Sequence, residues 1–183
     1  PSLFWVDIFV ERIGGSFYLS EGVRNRAEEW GTFGDFKLLV CSREDIFLSK
    51  SVTERERDLE DMLTLCRKGL NVEVVFNECD VQTENSDMIW HLFLERKLEE
   101  MEKTYDLSVP WRSRLYEVGC RLLLERRVPE LIARSPTTLK HISEEFDANE
   151  KIVRDVLKKL VEEGIVVVDR SRRPHIYSPA RER

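Results

Sequence analysis

Three cations, Lys151, Arg154 and Lys158, stand at i, i+3 and i+7 in the last third of this chain, and Arg170, Arg172 and Arg173 crowd a short stretch downstream. On a helix, that first spacing puts the three charges in one stripe, whose chemistry is attraction for a polyanion. A second set lies toward the other end: Asp7 inside an apolar run, then Lys50, Arg57, Asp58 and Asp61. A lysine among carboxylates can keep a phosphate or metal site, or it can close on itself as a salt-bridged cluster. The sequence contains no Ser/His/Asp set and no glycine loop with a lysine to cradle phosphate, so catalysis by this chain alone is not expected. The cysteines at 41, 66, 79 and 120 form no C-x-x-C pair, and the histidines at 91, 141 and 175 do not cluster with them. Reduced thiols are therefore expected, with no metal and no cofactor.

The charge is unevenly divided. Residues 1–110 hold 13 Lys and Arg against 23 Asp and Glu, a net of −10, whereas residues 111–183 hold 16 against 12, a net of +4. An acidic body joined to a basic module predicts that only the module meets a polyanion. Asparagine occurs five times and glutamine once in a chain that is 35% charged, a bias shared with heat-adapted proteins. No apolar run approaches the ~20 residues that span a bilayer, and no signal peptide is visible, so a cytoplasmic protein is expected.

The elements that must position the cations can be read from local signals. A helix is predicted from Arg114 to about Ala133, kinked or broken at Pro129. A short amphipathic helix follows over Thr138–Phe146, with Leu139, Ile142 and Phe146 on one side. After the turn Asp147-Ala148-Asn149, Asn149 caps a helix over Glu150–Glu163 whose buried face is Val153, Val156, Leu157 and Leu160. Gly164 stops it. Ile165–Val168 is a strand, residues 171–174 turn, and His175–Tyr177 return. This order resembles the winged helix-turn-helix plan, which implies double-stranded DNA as partner. Lys151, Arg154 and Lys158 would face the major groove, and Arg170, Arg172 and Arg173 at the wing would track the backbone or enter the minor groove. Glu150 and Asp155 on the same helix weaken its positive field.

The first part reads as mixed α/β. Leu3–Val10 is predicted as a buried strand, Ser16–Leu19 as a short one after the Gly14-Gly15 turn, and Ser20 to Trp30 as a helix. Lys37–Cys41 reads as another buried strand. Ser42 opens a capping box with Asp45 for a helix that reaches Lys68, with a possible break at 51–53, and Gly69 stops it. Residues 70–76 are open between strand and helix. A strong helix over 86–105 belongs to an expected connector, which Val109-Pro110 ends.

Val6-Asp7-Ile8-Phe9, with Ser42-Arg43-Glu44-Asp45-Ile46-Phe47-Leu48-Ser49-Lys50 and then Arg57-Asp58-Leu59-Glu60-Asp61, resembles minimal nucleotidyltransferase-fold, antitoxin-like proteins over residues 3–68. The resemblance implies a metal-binding acid at Asp7 and a phosphate-facing Lys50 supported by Arg57, Asp58 and Asp61. The family's Gly-Ser loop and paired acids lie upstream of the position of Asp7, where this chain has six residues.

The expected architecture is α+β: a nucleotidyltransferase-like domain over 1–84, a helical connector over 85–112 and a winged helix over 113–183. The expected function is a DNA-binding transcriptional regulator, a homodimer joined through the connector helix or residues 114–124. Its incomplete N-terminal domain would serve assembly, ligand sensing or a protein partner, with no membrane. Two alternatives stay open: a nucleotidyltransferase whose missing acids come from upstream sequence or a partner, and an antitoxin-like interaction protein.

Overall fold

A computed structural model of the chain describes residues 10–171 and 173–180. The strand expected at residues 3–10, and with it Asp7, lies outside the described residues apart from Val10. The fold is mixed α+β, with helices and three separate two-stranded antiparallel sheets among the described residues. It divides into two compact units, Pro1–Arg112 and Ser113–Arg183.

In the first unit, β1 (Arg12–Ile13) and β2 (Phe17–Tyr18) form a small hairpin about Gly14 and Gly15, both at positive φ. Ser20 caps α1 (Glu21–Arg26) by accepting from the Val23 amide. The helix ends there rather than at Trp30. Trp30, Thr32 and Phe33 favour extended backbone, and β3 (Glu28–Phe33) pairs with β4 (Phe36–Val40) instead. Gly34, at φ +61°, takes the turn position where a two-residue hairpin needs φ > 0. The apolar run at 37–41 was expected to be buried, but every residue of β4 is exposed. No second layer covers this hairpin among the described residues.

Four helices complete the unit: α2 (Arg43–Ser51), α3 (Glu56–Arg67), α4 (Val72–Glu84) and α5 (Trp90–Tyr105). The expected break falls between α2 and α3, and the stretch left open at 70–76 starts α4, capped by the Asn71 side chain. Gly69 at φ +82° follows α3 as the predicted stop. The segment expected as a connector is part of the core. Trp90, Leu94, Leu98 and Met101 of α5 are fully buried, with Phe47, Leu48, Met62 and Val75 from the other helices. Aromatic edges lock the packing, Phe17 against Trp90 at 5.8 Å and Phe47 against Trp111 at 6.2 Å. Each such fully buried side chain contributes about 1.5–3 kcal/mol.

The buried polar groups include a histidine. His91 is fully buried with its ring edge-on to Phe76, and neither ring nitrogen has a hydrogen-bond partner among the described residues. Asp80 comes only to 3.5 Å of Nε2. Burial holds the imidazole below its ordinary pKa, and Asp80 opposes this only in part. Because the unfolded chain takes up the proton first, the stability due to neutral His91 is complete above about pH 6.5 and is lost as pH falls below it. Melting temperature should therefore drop between pH 7.5 and 5.5, and His91→Leu should flatten that slope. An equal slope in the variant would remove His91 from the account.

In the second unit α6 (Arg112–Arg134) continues through Pro129, so of the kink or break expected there the break does not occur. The proline leaves the Glu125 carbonyl without its usual amide donor but does not end the helix. Thr138 caps α7 (Leu139–Glu145) and Asn149 caps α8 (Glu150–Glu162). Ile165 and Gly164 donate to the carbonyls of Leu160 and Val161, the reciprocal bonds that terminate a helix at a left-handed glycine. β5 (Val166–Asp169) then pairs with β6 (Ile176–Pro179). Thr137 and Tyr177 exchange backbone hydrogen bonds of 3.0 and 2.8 Å, which adds the segment before α7 to the hairpin's edge. Ile142, Ile152, Val153, Val156, Leu157, Leu160 and Val166 are buried.

Candidate nucleic-acid interface

The sequence 150–162 builds a helix of two unlike faces. Ile152, Val153, Val156, Leu157 and Leu160 are buried, and Lys151, Arg154, Asp155 and Lys158 are exposed. Arg154 lies 4.0 Å from Glu150 and Lys158 lies 3.8 Å from Glu162, each one turn away on the same helix. Exposed pairs of this kind contribute only a few tenths of a kcal/mol, so a phosphate can replace either carboxylate at little cost. Lys159 is committed elsewhere, to Glu125 of α6 at 2.7 Å.

The hairpin supplies the other wall. A groove of about 480 Å³ between α8 and the β5–β6 hairpin is lined by Arg154, Lys158, Arg170 and His175, with Leu157, Val161, Val168 and Tyr177 and a single acid, Glu162. The fold thus brings Arg154, Lys158 and Arg170 to one concave surface. Lys151 borders a different groove, of about 240 Å³, with Arg121 and the acids Glu117 and Asp155. Arg173 is exposed but lines neither groove, and Arg172 lies outside the described residues. His175 and Arg121 are additions to the sequence reading. The period-2 pattern of the returning strand, which puts His175 on the face of Tyr177, was the available signal for the first.

The second candidate set closes on itself. Lys50 Nζ donates to Asp58 Oδ1 at 2.5 Å and to Asp61 Oδ2 at 2.6 Å, and Thr53 Oγ1 donates to Asp58 Oδ2 at 2.5 Å. Burial would push the Asp58 carboxyl up, but Lys50 and Thr53 overcome it and hold the group below the usual carboxylate range. Lys50 and Asp61 meet across the break between α2 and α3. Arg57 is exposed. A phosphate approaching Lys50 would have to displace two carboxylates.

Sequence reasoning missed a deeper cluster. Arg26 forks onto both oxygens of Asp45, at 2.6 and 3.1 Å, and also reaches Glu78 Oε2 at 2.5 Å. Ser20 and Gln82 donate to the other oxygen of Glu78, and Gln82 exchanges hydrogen bonds with the Tyr18 backbone. The Asp45 hydrogen bond, and then Glu78, raise Arg26 beyond its already high pKa despite burial. The capping box is thereby modified: the Ser42 hydroxyl donates to Asp45 Oδ2, and the acid turns to Arg26.

Burial raises the Cys66 thiol to about 11 and also raises Cys41 and Cys79, so these are poor nucleophiles. Among the described residues no group of three His, Cys, Asp or Glu side chains is placed to hold a metal, and no helix is long and apolar enough to cross a membrane. Comparison of the chain with protein-family models, curated proteins and solved structures gives no match.

Proposed function

We propose that the second unit is a winged helix-turn-helix domain that binds double-stranded DNA, and that the protein is a DNA-binding regulator whose acidic first unit serves assembly. The observation that carries this reading is the concave cationic surface formed by Arg154 and Lys158 of α8 with Arg170 of the hairpin. Helix α8 has a free, exposed face to enter a major groove ~12 Å wide. The hairpin lies beside it, where a duplex in that groove presents its phosphates. The net +4 of residues 111–183 supports the same direction, and the −10 of residues 1–110 keeps the rest of the chain off a polyanion.

The test is a gel shift of the full chain on mixed genomic duplex fragments across a salt series, with the retained fragments sequenced. Retention at ~0.15 M salt, a steep fall in affinity as salt rises and enrichment of one sequence are the expected results. Absence of binding even at low salt would end the reading and leave the second unit as a protein-docking module.

A further inference from the structure

The β3–β4 hairpin has two unlike faces, which its register defines. Glu28 pairs with Val40, Gly31 with Leu38 and Phe33 with Phe36, while Glu29 pairs with Leu39 and Thr32 with Lys37. Directly paired residues share a face and successive pairs alternate. One face therefore carries Leu38, Val40, Phe33 and Phe36, with Glu28 beside Val40 at its far end. The register shift between Glu29 and Gly31 adds Trp30, whose ring stacks on Phe33 at 6.0 Å. The opposite face carries Glu29, Thr32 and Lys37, tied by a Lys37–Glu29 ion pair of 2.6 Å and a Thr32–Glu29 hydrogen bond of 3.0 Å, together with one apolar residue, Leu39. Its polar groups are satisfied internally. Among the described residues no element covers the apolar face, with Phe36 80% and Trp30 68% exposed.

We propose that this apolar face is a self-association surface and that its occupant is the same hairpin of a second copy of the chain. A hairpin with one apolar face is marginal in water unless that face is covered. Trp30, Phe33, Phe36, Leu38 and Val40 expose about 600 Å² on it, the upper end of what a monomer leaves bare. Two copies packed face to face would bury ~1,200 Å², the threshold of a stable interface. The charged pair lies on the opposite face, so two-fold packing desolvates neither Lys37 nor Glu29. Glu28 and Asp35 stand at the two ends of the strip, where they disfavour a nucleic acid or an anionic lipid surface as the occupant. Of the interface expected on the connector helix or residues 114–124, Trp90, Leu94, Leu98 and Met101, and likewise Leu115, Cys120 and Leu124, are buried, whereas Val118, Leu122 and Leu123 are half-buried.

The association stands independently of DNA binding, and its test reads oligomeric state alone. Sedimentation velocity on the full chain, over a micromolar dilution series, should show twice the chain mass. Phe36→Ser combined with Leu38→Lys should raise the dissociation constant roughly 100-fold or more, since aromatic anchors at the centre of an interface dominate its affinity. Thr32→Ala, on the opposite face, should leave it unchanged. Both altered positions of the double variant are exposed, so its circular dichroism should match the parent. A monomer at every concentration would overturn the proposal, as would a dimer that survives the double substitution. Capture of the monomer by zwitterionic vesicles through Phe36 would also overturn it, by giving the face a lipid occupant.

Discussion

Replacing Arg26 with alanine is expected to destabilise the first unit by about 3 kcal/mol, out of a total that for a domain is typically 5–15 kcal/mol. The guanidinium faces Asp45 and Glu78, whose side chains are each only 1% exposed, and it is the cation that both contact in the buried cluster. Without it two carboxylates stay in the core with Ser42, Ser20 and Gln82 as their side-chain donors among the described residues. Breaking a buried ion pair from one side costs ~3–5 kcal/mol; the lower end applies because Arg26 is itself 27% exposed and water can enter beside it. Arg26→Lys should recover only part of the loss, since an ammonium cannot fork onto both oxygens of Asp45 while reaching Glu78. Urea unfolding followed by tryptophan fluorescence measures this cleanly, because Trp30, Trp90 and Trp111 lie in the first unit and no tryptophan follows residue 111 in the sequence. A loss below ~1 kcal/mol would mean that the cluster is solvated rather than structural. A triple variant, Arg26→Met with Asp45→Asn and Glu78→Gln, should fall between Arg26→Ala and the parent, as no charge is then left buried.

The second large effect is on DNA. Arg154→Ala with Lys158→Ala is expected to weaken duplex binding by about 2–4 kcal/mol, roughly 30- to 1,000-fold, while melting stays near that of the parent. Neither side chain belongs to the buried face of α8, alanine is the better helix former, and the ion pairs lost to Glu150 and Glu162 are weak. The salt dependence tells what the two residues touch. If both meet phosphates, the slope of log affinity against log salt becomes shallower by about 2. If Arg154 reads a base edge, the slope changes by about 1 and discrimination between sequences relaxes. Lys159→Ala is the matched control, because this cation on the same helix points to Glu125 and away from the groove. Equal losses from Lys159→Ala and from the double variant would reduce the effect to general charge and remove the groove from the interface.

The second unit was largely legible in the sequence for a physical reason. Its elements are set by residues within a turn of one another: the caps Thr138 and Asn149, the stop at Gly164 and the 3.6-residue period that separates Val153, Val156, Leu157 and Leu160 from Lys151, Arg154 and Lys158. The Thr137–Tyr177 exchange was invisible because its partners are 40 residues apart and carry no side-chain signature of pairing. In the first unit the same local signals placed Ser42 at the head of α2 and Gly69 after α3. They could not say what each element would lie against. Residues 37–41 have the composition of a buried strand, yet burial requires a second layer, and only the tertiary structure shows that β3 and β4 have none among the described residues. Residues 86–105 have the pattern of an amphipathic helix anywhere, and only packing decides that α5 is core rather than connector. Arg26, Asp45 and Glu78 are 19 and 52 residues apart from Arg26 outward, so no spacing rule joins them. Caps, stops and periodicity are near-neighbour physics and can be read along the chain, whereas burial and charge pairing depend on which distant surfaces meet.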